Sequence, residues 1–342
     1  MRKGGLMDLD RNELYPLLFE PAYKEAMWGG GDLLPRKYGR QLPESTLPIA
    51  ESWEIFDRPG VSSIISNGKL AGMELHQLVE YFRQDLVGSK FQGEYFPLIV
   101  KIIDAERRLS LQVHPSEKNC RLLGKGEPKS EMFYILDSRP GAKIFAGLHP
   151  KATKMHFIES LDSHELENML QSFDSVPGDA YYIHAGRIHA MGGGNLVLEV
   201  QQNSNTTFRV SDWGRVDAEG KARELHKEEA LACIDFTDRT VPHITGVSSR
   251  ANHNCKYNII NQCPFFRVDD LRLVEKYRDS TLNTASCHLL SAVNGSFTVG
   301  NEKFQTPVPA GSTVLIPACF GAYELVPEAV EGGALTVLRT TI

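Results

Sequence analysis

Apolar side chains recur at near-helical spacing through 73–87, and Gly88 follows directly, which predicts an amphipathic helix with a glycine stop. Further helices are expected within 150–172, a short one among them over 162–172, and another at 224–234. Elsewhere the pattern reads as strands. A short one is predicted at 53–56, a buried one at 97–103, and others at 109–114, 131–136, 179–183 and 196–200. The stretch 14–60 is rich in Gly and Pro and promises little helix, and 237–256 reads as a polar link without periodicity. Beyond it come short runs at 265–268, 271–276, 287–293, 296–299, 312–316 and 334–339, with Asn294-Gly295 marking a hairpin between two of them. Many short strands broken by Gly and Pro predict a mainly β chain built as sandwich or barrel, with a few added helices.

An internal echo supports two related units. Gly178 begins a run that continues to Ile183, His184 and Ala185; Gly311 begins one that continues to Ile316, Pro317 and Ala318. The first copy carries His184 and His189, whereas the second has Pro317 and Ala322 in their places. Any polar site is therefore expected in the first unit.

Composition narrows the field. The chain has 342 residues, 42% hydrophobic and 23% charged, which is enough for a substantial core. With 37 basic against 43 acidic residues the net charge is −6, so no nucleic-acid partner is expected. No apolar run is long enough to cross a membrane as a helix, and the N-terminus lacks a secretory apolar segment. Six dispersed cysteines without a CxxC pair fit a reducing compartment, so the cytoplasm is the expected location.

Several polar residues sit where a plain β core has no use for them. In 109–114 alternation places Leu109, Leu111 and Val113 on one face and Ser110, Gln112 and His114 on the other. Such a polar face suits a pocket lining, and Gln112 with His114 can offer oxygen and nitrogen to one metal. A core histidine hydrogen-bonded to a glutamine satisfies the same pattern. Lys129 and Glu131 head an apolar strand; they can give a fixed cation and a carboxylate ligand, or only a surface ion pair. His189 ends a Gly-containing turn, where a ligand is easily presented. Two imidazoles and a carboxylate suit Zn²⁺, and equally Mn²⁺, Fe²⁺ or Co²⁺. Glu199 and Arg209 interrupt apolar runs, so each needs a partner or a pocket. A structural Arg–Glu pair and an active site both meet that need.

These motifs together resemble the type I mannose-6-phosphate isomerases (phosphomannose isomerases), of the shorter bacterial kind built on cupin barrels. The likeness runs through Trp28-Gly29-Gly30, 50–54, 96–101, Asp104-Ala105 and the Gln-Val-His-Pro run at 112–115. It continues in Lys129-x-Glu131, 186–190, 199–209 and Asp212-Trp213. The resemblance implies two cupin (jelly-roll) barrels, a catalytic one in residues 1–236 with helical insertions and a metal-free one in 237–342. It implies one zinc held by Gln112, His114, Glu131 and His189, with Arg209 as active-site arginine and Ser110 and Lys129 in the substrate pocket. The implied reaction interconverts D-mannose 6-phosphate and D-fructose 6-phosphate through a cis-enediol. Its base is left open among Glu199, His184 and a water activated by the metal. Ser110, Lys129, Arg209 and Lys118 are candidates to meet the phosphate.

Three places depart from the family pattern, four residues in all: His184 stands for a Pro, Asn205 for an Asp, and Met132-Phe133 where a Trp is common nearby. They leave room for a related aldose phosphate as substrate. Two other readings are a metal-dependent cupin oxidoreductase and a non-catalytic sugar-phosphate-binding cupin. The only expected partner is the small sugar phosphate, with the chain a monomer or weak homodimer.

Overall fold

Helix Leu75–Leu86 forms where its pattern predicts, burying Leu75, Leu78, Val79, Phe82 and Leu86 along one stripe. Its first turn is closed by the Gln77 side chain, which accepts a hydrogen bond from the Glu74 amide at 3.0 Å. The computed structural model describes residues 10–161, 163–244, 247–252, 255–329 and 333–342. The other helices are the short Leu33–Tyr38, Glu117–Leu123, Lys154–Ser160 and Lys227–Cys233. The helix predicted over 162–172 is a 3₁₀ segment, His164–Met169, followed by strand Leu170–Asp174; Asp162 lies outside the described residues.

The chain divides into two compact units, one of Met1–Ala22, Glu54–Leu98 and Thr245–Ile342, the other of Tyr23–Trp53 and Ile99–Ile244. The second unit is organised on two sheets. Seven strands run in the order Ala22–Glu25, Ile49–Ile55, Leu98–Ala105, Asn195–Gln202, Glu131–Ser138, Ala180–Ile183, His243–Ile244. Five run in the order Phe208–Ser211, Leu111–Val113, His189–Met191, Lys143–Leu148, Leu170–Asp174. Phe133, Ile135, Tyr181, Ile183 and Val197 of the larger sheet pack with Ile144, Ala146 and Met191 of the smaller. The other face of the smaller sheet presents Leu111, Val113, Ala190, Phe208 and Val210 to Phe157, Leu166 and Ala230 of the helical segments. Both faces of that sheet are therefore covered. The residues alternating with the helix-facing set, Gln112, His189 and Arg209, necessarily face the larger sheet.

The first unit has its own pair, six strands in the order Val247–Asn252, Cys255–Gln262, Arg267–Leu273, Leu335–Thr341, His288–Ala292, Thr313–Ile316 and four in the order Tyr277–Ser280, Ala322–Pro327, Phe297–Gly300, Gln305–Val308. Leu271, Leu290, Val314 and Val337 of the six meet Phe297, Val299, Val308 and Leu325 of the four in one core.

These sheets correct the expected mainly β pair of cupin barrels. Every sheet is open, with different strands at its two edges, and no sheet closes into a barrel among the described residues. The architecture is mixed α/β. Alternation in sequence reports that one face of a strand is buried. Stacked open sheets meet that condition as well as a closed barrel does, because closure depends on which edge strands pair.

Two further expectations change. The link 237–256 contains strand Val247–Asn252, paired with Cys255–Gln262 through an irregular register between Ser248 and Arg250. A register shift removes the regular alternation by which a strand is recognised. Asn294-Gly295 is not a hairpin: the strands on either side, His288–Ala292 and Phe297–Gly300, belong to different sheets. Asn294 instead caps a neighbouring strand, with Oδ1 accepting from the Thr336 amide at 2.7 Å and Nδ2 donating to the Ala334 carbonyl at 3.0 Å.

Candidate metal centre

Gln112, His189 and Arg209 are brought side by side by strand pairing. His189 lies opposite Gln112, and Arg209 lies opposite Gln112 on the other side. Cross-strand partners share a face, so the three form a row that looks onto the larger sheet. His114 follows the end of strand Leu111–Val113. Its backbone is held there by the Gly186 amide, which donates to the His114 carbonyl at 2.9 Å, and by the helix at Glu117 with its Ser116 cap. Glu131 opens strand Glu131–Ser138 of the facing sheet, opposite Ile183 on one side and Gln201 on the other. The neighbouring Ser130 is pinned from both sides: its amide donates to Gln202 Oε1 at 2.9 Å and its hydroxyl accepts from the Ala185 amide at 3.1 Å.

These elements converge His114, Glu131 and His189, all buried, with one potential ligand atom from each within 4.8 Å of the others. His189 Nε2 is 3.0 Å and His114 Nε2 3.4 Å from Glu131 Oε1. Backbone carbonyls fix both imidazole tautomers. His114 Nδ1–H donates to Thr206 O at 2.8 Å and His189 Nδ1–H to Arg187 O at 3.0 Å, so both Nε2 lone pairs point at the carboxylate. His114 Nε2 and Glu131 Oε1 have no hydrogen-bond partner among the described residues. Burial first, then the Lys129 charge, pushes the His114 imidazole down to about 3, so its ring is neutral near neutrality. Two lone pairs and a carboxylate facing one another in a buried space repel unless a cation lies between them. The residues present thus fit a divalent metal ion.

Gln112 stands beside this group, its amide nitrogen 3.1 Å from His189 Nε2 and its oxygen accepting from Ser110 Oγ at 3.3 Å. Turning the amide end for end would aim its oxygen at the same point.

A row of buried charge leads away from the metal group. Lys129 Nζ is 2.6 Å from Glu131 Oε2 and 3.3 Å from Glu199 Oε1; Lys101 Nζ is 3.4 Å from both Glu199 Oε1 and Glu51 Oε2. Trp53 Nε1 donates to Glu51 Oε2 at 2.6 Å. Three carboxylates against two ammonium groups leave this row one negative charge in excess before any metal is added. The excess falls on Glu199. Burial and then the Glu131 charge push its carboxyl up to about 7, against the pull of Lys101 and Lys129. Burial also acts against ionised Glu131, but the Lys129 charge outweighs it and holds that carboxyl well below its usual range.

Arg209 is half-buried; its terminal nitrogen donates to Glu224 O at 2.8 Å, while its Nε has no hydrogen-bond partner among the described residues. The structure therefore brings together Gln112, His114, Glu131 and His189, with Lys129 and Glu199 behind them and Arg209 in the adjoining strand. His184 has other partners: its ring nitrogens meet Asp238 Oδ2 at 3.0 Å and Ala185 O at 2.8 Å. Lys129 is engaged by two carboxylates, so it is not a free cation for a phosphate.

Sequence reading passed over Lys101 and Glu51 as members of this row. A signal existed for Lys101, since a lysine inside the apolar run 97–103 demands a buried partner by the argument applied to Glu199.

A buried imidazole–carboxylate–imidazole group between packed sheets defines a metal-dependent protein, and comparison with known proteins gives the family. The catalytic-domain pattern of phosphomannose isomerase type I matches residues 17–134. The probable mannose-6-phosphate isomerase GmuF of Bacillus subtilis is 34% identical over 316 residues, 91% of this chain and 96% of that one. The mannose-6-phosphate isomerase ManA of the same organism is 32% identical over 311 residues, 91% and 95% of the two chains. The crystal structure of the mannose 6-phosphate isomerase from Bacillus subtilis superposes with a TM-score of 0.84 at 27% identity, covering 96% of this chain and all of that one. The chain belongs to the type I phosphomannose isomerase family. No helix among the described residues is long and apolar enough to cross a membrane.

Proposed function

We propose that this protein interconverts D-mannose 6-phosphate and D-fructose 6-phosphate by moving a proton between C1 and C2 through a cis-enediol, with Zn²⁺ as its metal. The observation that carries this reading is the convergence of the His114, Glu131 and His189 ligand atoms, without hydrogen-bond partners at His114 Nε2 and Glu131 Oε1 among the described residues, in a chain of this family. Those three residues would hold the ion, with Gln112 as the fourth ligand. When bound, the ion supplies Lewis-acid polarisation of the sugar oxygens.

The chain's own groups do the rest. The Arg209 guanidinium, with an Nε–H still to place, stabilises negative charge developing on the enediolate oxygens. Glu199 accepts the C2 proton at its carboxylate, exchanges it with solvent, and delivers a proton to C1, its basicity raised by burial beside Glu131. Lys129 and Lys101 orient that carboxylate. We assign catalysis to residues 1–236 and no metal site to 237–342, in a cytoplasmic monomer or weak dimer.

The test is turnover of mannose 6-phosphate in D₂O followed by NMR. Fructose 6-phosphate carrying solvent deuterium at C1 is the expected product. No turnover by folded, metal-loaded protein overturns the proposal, and turnover without any deuterium overturns its proton-transfer step.

Two variants refine the roles. Arg209→Met is expected to lower kcat by about 10²–10³-fold, the cost typical of removing one oxyanion donor, with a much smaller change in KM. For Glu199, the working form is the ionised one, so kcat/KM falls tenfold per pH unit below an apparent pKa at or below about 7. The value lies at or below that figure because a bound cation acts opposite to the Glu131 charge. Glu199→Gln abolishes this acid limb along with most activity; an unchanged pH profile assigns the base elsewhere.

A further inference from the structure

The turn that presents His189 is fastened from outside the metal group by a residue far along the chain. Gly186, at φ +92, makes the turn, and the Arg187 amide donates to the His184 carbonyl across it at 3.0 Å. Two side chains of the turn then converge on a single oxygen, Asp238 Oδ2: His184 Nε2 at 3.0 Å and Arg187 Nε at 2.8 Å. Arg187 is 2% exposed and the Asp238 side chain 7%. The guanidinium is held further by Tyr182 O at 2.6 Å and by Thr240 Oγ1. Asp238 is itself fixed, because its Oδ1 accepts from the Thr240 amide at 2.9 Å and the Thr240 hydroxyl at 2.6 Å. The consequence lies in the backbone. The carbonyl of Arg187 accepts His189 Nδ1–H at 3.0 Å, so the residue that is clamped is also the one that sets the tautomer and direction of the His189 lone pair.

We propose that Asp238 is a positioning residue for the metal centre, acting through Arg187 and His184 to aim His189 Nε2. The assignment rests on His189 being a metal ligand. It also gives His184 a task, as one arm of a clamp that closes on Asp238.

Asp238→Asn keeps the shape of the side chain and removes the charge on which both arms converge. Zn²⁺ affinity of the metal-free protein is read by competition with a chromophoric chelator, Co²⁺ absorption reports ligand geometry, and circular dichroism follows folding. The expected result is a folded variant that binds Zn²⁺ about 10–100-fold more weakly, with an altered Co²⁺ band. At saturating Zn²⁺ its KM for mannose 6-phosphate returns to that of the parent protein. Arg187→Gln cuts the clamp from the other side, carries the same expectation, and is read if Asp238→Asn does not fold. Unchanged affinity and Co²⁺ spectrum in a folded variant overturn the proposal, as does loss of fold in both variants, which would make the clamp a stability element. If the parent protein binds no Zn²⁺, the metal-centre reading fails instead, so the two failures are distinguishable.

Discussion

Lys129→Met is expected to destabilise the metal-free protein by about 3–5 kcal/mol, the cost of leaving buried charge without its partner. Lys129 lies within 3.3 Å of both Glu131 and Glu199, and it is the largest favourable influence holding the Glu131 carboxyl ionised. Methionine fills a similar volume, so the loss is electrostatic rather than a cavity effect. Its pH dependence has a definite sign. Without Lys129 the folded-state pKa of Glu199 rises further above the ordinary value of 4.5, and the Glu131 carboxyl loses the largest influence that holds it below that value. The folded protein then retains protons that the unfolded chain has released, so stability declines as pH rises above that value. Urea unfolding of parent and variant from pH 4.5 to 8 checks this. The gap, already present at pH 4.5 through Glu131, should widen toward the alkaline end through Glu199. A gap independent of pH would show that Lys129 contributes packing only.

His114→Ala is expected to have the largest effect on catalysis. It removes one of three converging ligand atoms, and with them the charge stabilisation of several kcal/mol that a bound divalent ion supplies. That corresponds to a fall in kcat/KM of roughly three orders of magnitude. Thermal unfolding gives a second readout. Zn²⁺ should raise the Tm of the parent protein, because it binds the folded state alone, and should leave that of the variant nearly unchanged. The same rise in both proteins would place the ion elsewhere.

Much of the site was legible in the chain because its residues break local rules. Gln112 faces away from Leu111 and Val113 in a strand whose other side is wholly apolar, and the structure puts it where alternation says. Leu109 shows how short that rule's reach is: the strand begins at Leu111, and Leu109 packs with the opposite core. Glu199 and Lys101 carry charge into apolar runs and prove to be partners of one another. Family resemblance gathered the scattered metal residues, which no spacing rule could connect, since Gln112 and His189 meet only through strand pairing.

What escaped reading depends on contacts distant in sequence. The Arg187–Asp238 clamp joins two loops, and neither residue stands in a pattern that marks it. Asn294-Gly295 has the composition of a hairpin turn, but its neighbours pair with other strands and the turn passes from sheet to sheet. Open sheets in place of barrels follow from the same cause. Residue alternation determines which face of a strand is buried, while edge pairing decides whether a sheet closes.

Aldose–ketose isomerisation by this chain is expected to depend on a divalent ion held by His114, Glu131 and His189. The most direct measurement is a coupled assay on mannose 6-phosphate with purified protein, stripped by chelator and then titrated with Zn²⁺ while bound metal is counted. Activity is expected to vanish on stripping and to return in proportion to metal bound, saturating at one ion per chain. Full turnover in metal-free protein, or none at saturating metal in protein that remains folded, would contradict it.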